Sequence, residues 1–526
     1  MNGVGLQNKR ECFIDRIAYK LLDEGRPEYN LFLKQVLMPT ESAENPKKPS
    51  VPEDGIPRRE ALKIAGVLLV THLSPLPVRR PTTRAKKVIV GGAGIAGLSC
   101  AYELTKRGHD VTVLEASALT GGHVRTVREG LADGLYVDAG AEHFTQPGYD
   151  RYWQYVQEFN LTALPYPRRN RMLRVLQGKM YSEDDLHSPN VLKALGFNQR
   201  EVQFLARHAW WELPSLYFDP VLDKFTDEYR PFDAGLNHLD HVTMDQWLEE
   251  QGASASAIRY IGGTGVSTLH VLWHAAILKL RKVPLFPPKV FRLKGGNQRM
   301  TDAFASRLGN RVRLERPITG IEHSPSGVRV RYRESGEEKT MDAEYLVCCM
   351  SAVMLRQIPV NPAWPESKRY AVVTVPYYTA SRPFFQSRSR FWEKDGVSPN
   401  IEFGERSLSH IWRMADDVDT QRGLLVSTAD GLTTGEAAAK TFRRYYPGKS
   451  EDIELALVHD WSKDPWVMAC ETLHYRPGDL TRLWPALAEP HGRIHFAGAY
   501  ADNLNWGMEA ATRSANRAAE RIDGES

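Results

Sequence analysis

The sequence predicts an α/β protein organised around a doubly wound parallel sheet. Three features carry that expectation: a strand–turn–helix–strand unit over 86–115, a return of strand and helix patterning after 290, and a third return after 490. Val88, Ile89 and Val90 form a short β-branched run, as suits a parallel strand buried on both faces. Gly92-x-Gly94-x-x-Gly97 follows, with Ala96 inside the turn. That spacing gives a tight turn, lets backbone approach a pyrophosphate and packs the next helix close to the strand. A helix over 95–107 then aims its free N–H groups and the positive end of its dipole at the same point. Gly108 ends it, and Val111, Val113 and Leu114 make a second strand that finishes at Glu115 and Ala116. A carboxylate at that strand end accepts hydrogen bonds from a ribose 2′-OH. Gly92, Gly94, Ala96, Gly97, Glu115 and Ala116 are therefore candidate dinucleotide contacts.

Composition narrows the class. At 526 residues the chain is long enough for two or more domains, and its 42% apolar and 25% charged content is that of an ordinary globular protein. A formal charge of +4 is small for this length and gives nucleic-acid binding no support. Cys12, Cys100, Cys348, Cys349 and Cys470 are odd in number and hold no C-x-x-C pair, so neither a disulfide framework nor a zinc site is expected. His270 and His274 lie four apart on an expected helix, but two ligands do not make a metal site. No apolar run reaches the ~18 residues that span a bilayer.

Residues 1–85 stand apart as an N-terminal extension. Phe13, Ile14, Ile17, Ala18, Leu21 and Leu22 have helical spacing, and 39–57, rich in Pro, Glu, Lys and Ser, reads as linker. Arg58-Arg59-Glu60-Ala61-Leu62-Lys63, the mostly apolar run 64–73 and a Pro-rich exit resemble a twin-arginine export signal, which would place the protein in a bacterial periplasm. The second reading is a short amphipathic helix packed on the body of a cytoplasmic protein.

After Glu115 come Gly121-Gly122-His123-Val124-Arg125-Thr126 and Val137-Asp138-Ala139-Gly140-Ala141-Glu142-His143. A dinucleotide unit followed by these stretches resembles the flavin amine oxidase superfamily, which includes monoamine, polyamine and L-amino-acid oxidases. The resemblance implies FAD rather than NAD. It continues through Lys294-Gly295-Gly296-Asn297, where the backbone at Ile318 would contact the adenine. It is strongest near the C-terminus, in Trp461-Ser462-Lys463-Asp464-Pro465-Trp466, Gly492-Arg493-Ile494-His495-Phe496-Ala497-Gly498-Ala499 and Gly507-Met508-Glu509-Ala510-Ala511. It implies cofactor contacts at Gly121, Gly122, His123, Gly140, Ala141, Ile318, Trp466, Gly498, Ala499, Gly507 and Met508. Gly498 would approach the ribityl chain and phosphate, and Met508 would open a helix whose N–H groups face the flavin pyrimidine.

The architecture expected from this is an α/β FAD-binding doubly wound domain assembled from 86–149, 289–350 and 456–526, with an α+β substrate domain from inserts at 150–288 and 351–455. The first insert reads as mainly helical and aromatic-rich, the second as mostly strands.

Several positions depart from the family pattern. His123 stands in place of the arginine of GGR, and Ala499 in place of the acid of AGE. Thr379-Ala380-Ser381-Arg382 with Phe391-Trp392-Glu393 matches an L-amino-acid oxidase stretch, and Arg382 falls where the family has a lysine that holds water against the flavin and assists reoxidation by oxygen. Arginine is larger, planar and permanently charged. His143 falls where L-amino-acid oxidases have a carboxylate-clamping arginine, a bidentate contact imidazole cannot make. Glu142 beside it either draws a cationic amine or, with His143, tunes the flavin's surroundings. Cys470 lies where monoamine oxidases carry a cysteine thioether-linked to the flavin; the alternative is a small packed residue. Trp506 precedes the position of an aromatic cage wall, which Gly507 occupies. Arg382, Trp506, His143 and Glu142 are the candidate catalytic residues, and Cys470 a candidate cofactor attachment.

The expected activity is FAD-dependent oxidation of an amine or amino acid by hydride transfer to the flavin, giving an imine. Two alternatives stand beside it: a dehydrogenase or desaturase of a lipid-like or cyclic substrate, and a catalytically weak flavoprotein with a binding role. The partners expected are a small-molecule amine and oxygen, a quinone or a protein as electron acceptor; a homodimer is compatible, and nucleic acid is not a partner.

Overall fold

The computed structural model describes residues 84–166, 171–263, 265–285, 287–394, 398–405, 407–431, 433–469, 475–504 and 507–525. Arg58 and Arg59 of the export-like stretch, Cys470 and Trp506 lie outside the described residues. Among those described, no helix is long and apolar enough to cross a membrane.

Lys87–Gly91 is buried at every position after its first, and strands covered on both faces belong in the middle of a parallel sheet. It sits there: the order is Val312–Arg313, Asp110–Leu114, Lys87–Gly91, Tyr345–Cys348, Ile494–Phe496, all parallel. Three distant stretches of chain thus meet in one sheet. The helix Ile95–Lys106 covers it with Leu98, Cys100, Ala101 and Leu104, all buried. Burial of a leucine of this kind stabilises by about 2 kcal/mol. Gly507–Gly524 packs along the same helix, and its Ala511, Ala515 and Ala518 are buried.

A second, seven-stranded sheet has the order Ile453–Asp460, Ala380–Ser387, Gly423–Asp430, Leu408–Met414, Ile401–Glu405, Leu173–Leu176, Lys179–Tyr181. The first insert is helical, as expected, from Pro189–Ala194 to Thr268–Leu280, yet its hairpin 173–181 leaves the helices and pairs with Ile401–Glu405. The expected segment boundaries shift in two places. Ile453–Asp460 pairs with Ala380–Ser387, so the cut at 456 falls inside a strand of the seven-stranded sheet and the chain leaves that sheet only at Trp461. Val360–Asn361 pairs with Ile321 and Glu322 of the Ile318–Ser324 meander, so the chain beyond 350 remains attached to that sheet. Both pairings are with strands far away in sequence, which local patterning cannot reveal.

Candidate active site

A cavity of about 510 Å³ opens where the carboxyl ends of the parallel strands face two helix N-termini. The turn after Lys87–Gly91 lines it with Gly92, Gly94, Ile95 and Ala96, the end of Asp110–Leu114 with Glu115 and Ala116, and the loop beyond with Gly121, Gly122 and His123. Ala141, Ile318, Trp466, Gly498, Ala499, Gly507 and Met508 complete the expected set along its walls.

Gly97 and Gly140 do not face the cavity but back it. A Cβ on Gly97 would lie 1.8 Å from the Gly92 carbonyl oxygen, and one on Gly140 would lie 1.7 Å from that of His123. Both are close approaches of backbone to backbone that only glycine permits. Gly94 is different, since a Cβ there would meet nothing nearer than the Gly121 oxygen at 4.0 Å. The space before it is open. Gly94 gives the helix Ile95–Lys106 no side-chain cap, and that first turn carries no acid, so its N–H groups stay available to an anion. Glu115 is held at the strand end by the N–H groups of Ala93 (2.5 Å) and Ser117 (2.8 Å).

The side chains sharpen this picture. His123 packs tilted against Trp461, with ring centres 4.4 Å apart, and Trp461 donates its indole N–H to the Ala139 carbonyl at 2.8 Å. His459 meets the same indole edge-on at 4.5 Å. Burial pushes His123 down to about 3 and lowers His459 as well, so both imidazoles are neutral at pH 7. Nε2 of each is buried without a hydrogen-bond partner among the described residues. Arg125, which sequence reasoning passed over, lines the cavity and makes no ion pair among the described residues. A cleft with free N–H donors at one helix end, an unpaired guanidinium and the orphaned Nε2 of His123 suits an anionic dinucleotide.

Three of the four expected catalytic residues come together beside the cavity, although none of the three lines it. Arg382 forms an ion pair with Glu142 and donates a second hydrogen bond to the Thr428 hydroxyl. His143 Nδ1 lies 3.9 Å from the other oxygen of Glu142. The charge on Glu142 is thus already matched by Arg382, which sequence alone did not anticipate. Arg382 also adds to the depression of His123, placing the pair next to the cavity wall.

Register extends this cluster across the sheet. Arg174 faces Glu402, Glu402 faces His410, His410 faces Thr428, and Arg382 faces His459; the pairs Ser381 with Ala429 and Phe384 with Val426 set Arg382 opposite Thr428. Residues directly opposite share a face. Six polar side chains therefore form one row over six strands, joined by the Arg174–Glu402 ion pair, a 3.1 Å Thr428–His410 bond and the Arg382 contacts. His270 and His274 belong elsewhere: their rings lie 4.3 Å apart inside the helical insert, and burial pushes His274 down to about 4.

A glycine turn at the carboxyl edge of a parallel sheet, with two helix N-termini on one cleft, defines a dinucleotide-binding protein. The chain belongs to the flavin containing amine oxidoreductase family, whose model it matches over residues 95–523. It is an enzyme, and its cofactor is FAD. It is 25% identical over 491 residues to an L-amino-acid oxidase of Demansia vestigiata, covering 84% of this chain and 88% of the relative, and 25% identical over 475 residues to that of Echis ocellatus, covering 84% and 90%. Among solved structures it is similar to cyclohexylamine oxidase from Brevibacterium oxydans IH-35A, with a TM-score of 0.70, 22% identity and coverage of 84% of this chain and 99% of that one. Putrescine oxidase bound to putrescine has a TM-score of 0.69 at 19% identity, covering 84% and 100%.

Proposed function

We propose that this enzyme oxidises an amine that carries no α-carboxylate. The Glu142–Arg382 ion pair is the observation that carries the reading. A guanidinium held by a carboxylate and by the Thr428 hydroxyl has no charge to spare for a second carboxylate, and an amino acid bound in a buried site needs one. The rest of the row is balanced in the same way by Arg174 and Glu402, while the histidines nearest the cavity, His123 and His459, are neutral. A face without net charge favours a neutral substrate, which for an amine is also the form with a free lone pair. The relatives named above divide between amino-acid and plain-amine oxidases; the ion pair favours the second kind.

In this reading Gly92, Gly94, Ala96 and the N-terminus of Ile95–Lys106 hold the diphosphate of FAD. Glu115 holds a ribose, Ile318 borders the adenine, and Gly498, Ala499, Gly507 and Met508 border the flavin. Arg125 supplies a positive charge that His123 cannot. What FAD supplies when bound is a hydride acceptor for the amine's α-carbon, leaving an imine that water hydrolyses. The helix Gly507–Gly524 directs its positive end at the cavity and favours negative charge there. Arg382, with its two terminal nitrogens committed to Thr428 and Glu142, is poorly placed to hold a water for oxygen activation, so a dye or quinone should reoxidise the enzyme faster than oxygen does.

The test is anaerobic bleaching of the bound flavin by matched pairs of substrates, such as hexylamine against L-norleucine and phenethylamine against L-phenylalanine. Amines faster by tenfold or more support the proposal. Equal or faster bleaching by the amino acids overturns it.

A further inference from the structure

We infer that a second cavity, remote from the flavin site, binds a monocarboxylate with an apolar body. It lies between the hairpin 173–181 and the helices Pro189–Ala194, Gln199–Leu205 and Ala255–Ile261, has a volume of about 300 Å³, and shares no lining residue with the cofactor cavity. Its Arg174 stands at the opposite end of the polar row from His459, five strands away, which at about 4.8 Å per strand is on the order of 20 Å.

The walls are apolar: Leu192, Leu195, Leu205, Leu213, Trp210 and Phe403. The cavity opens to solvent on the side of the exposed Arg259, so a small molecule can enter it. The volume is at the lower end of the roughly 300–1,000 Å³ typical of small-molecule sites.

The polar groups fix the chemistry of the occupant. Arg174 is 3% exposed, lies over the Trp210 ring, is anchored by Glu402, and has an Nε without a hydrogen-bond partner among the described residues. Arg259, exposed, donates to the Ser256 hydroxyl at 2.9 Å, and that hydroxyl is itself committed to the Leu195 carbonyl at 2.6 Å. No acidic side chain is among the described residues lining the cavity; Glu402 is not one of them. The charge of Arg174 is matched by Glu402, so it offers its free Nε–H as a hydrogen-bond donor, while Arg259, which makes no ion pair among the described residues, supplies the uncompensated positive charge. Beside aliphatic walls the two favour a carboxylate with a hydrocarbon tail over an ammonium. The enzyme's amine substrate is therefore the wrong ligand here, and the site is independent of the activity proposed above.

Octanoate is the probe, titrated calorimetrically into the full-length, FAD-loaded enzyme, with octan-1-ol and octylamine as comparisons. The expected result is one saturable site for octanoate, at least tenfold weaker binding of the alcohol and the amine, and an unchanged isotherm when the flavin site holds an inhibiting amine. Leu195→Trp fills the cavity and should abolish binding; Arg259→Gln, at an exposed position that folding tolerates, should weaken it severalfold and keeps the test decisive if Leu195→Trp does not fold. Absence of saturable binding, octylamine binding as tightly as octanoate, or an unaltered affinity in folded Arg259→Gln each overturns the inference.

Discussion

The cofactor cavity is walled largely by backbone and short side chains, whereas the row crossing the seven-stranded sheet is made of six side chains from six strands. In the cavity, Gly92, Gly94, Gly121 and Gly122 let main chain come close, and helix N-termini supply the donors. Such a wall tolerates little change at its closest approaches but depends weakly on any one side chain. In the row, Arg382 is defined by what Glu142 and Thr428 do to it, and Arg174 by Glu402. A network of that kind loses its character when one member changes, even though the backbone stays in place. Cofactor retention should therefore follow the glycines, and substrate choice the row.

The largest expected effect tests the first half of the contrast. Gly97→Ala forces a Cβ to 1.8 Å from the Gly92 oxygen, an overlap that only backbone movement relieves, at a cost on the order of 3 kcal/mol or more. The purified variant should hold little FAD, read as its flavin-to-protein absorbance ratio. Next comes Glu142→Gln, which removes the charge facing Arg382. The ratio of L-amino-acid to amine turnover should rise by about tenfold, or roughly 1.4 kcal/mol, with flavin content unchanged. A fall in flavin content in this variant would erase the distinction between the two regions. Thr428→Val deletes the hydroxyl shared by Arg382 and His410, and should lower stability by about 1–2 kcal/mol in urea titrations while FAD remains bound.

The smallest effect concerns pH. Burial raises the Glu509 carboxyl to about 7 and the Asp138 carboxyl to about 6, from ordinary values of 4.5 and 3.8. The folded state therefore binds these protons more tightly than the unfolded chain. Their contribution to stability is fully present below about pH 4 and is lost as pH rises through the folded values, between about pH 4 and pH 7. Glu509 accepts hydrogen bonds from the N–H groups of Arg151 and Tyr152, tying Gly507–Gly524 to Asp150–Glu158. Glu509→Gln should lower Tm at acidic pH by the loss of one such bond and flatten the decline of Tm between pH 5 and 7.5. An unchanged slope would mean that the carboxyl is ionised throughout that range.

The sequence by itself determined the parallel sheet, its glycine turn, the helix over 95–107 and the FAD family, because each is written in residues close together: a β-branched run, three glycines at fixed spacing, an acid at the next strand end. It also singled out Arg382, Glu142 and His143 as departures, since a resemblance shows where a pattern breaks. Only the tertiary structure decided what those departures mean. Whether Glu142 faces an incoming amine or an arginine 240 positions away depends on how Ala380–Ser387 is set against the flavin domain, and no local pattern encodes that. The same holds for Arg174, Glu402, His410, Thr428 and His459, which attracted no notice as isolated residues in unremarkable strands. Side chains alternate faces along a strand, so a shift of one residue in any of five pairings would have scattered the row. Register across strands distant in sequence is set by the packing of the whole sheet, and that is the information the linear chain does not display.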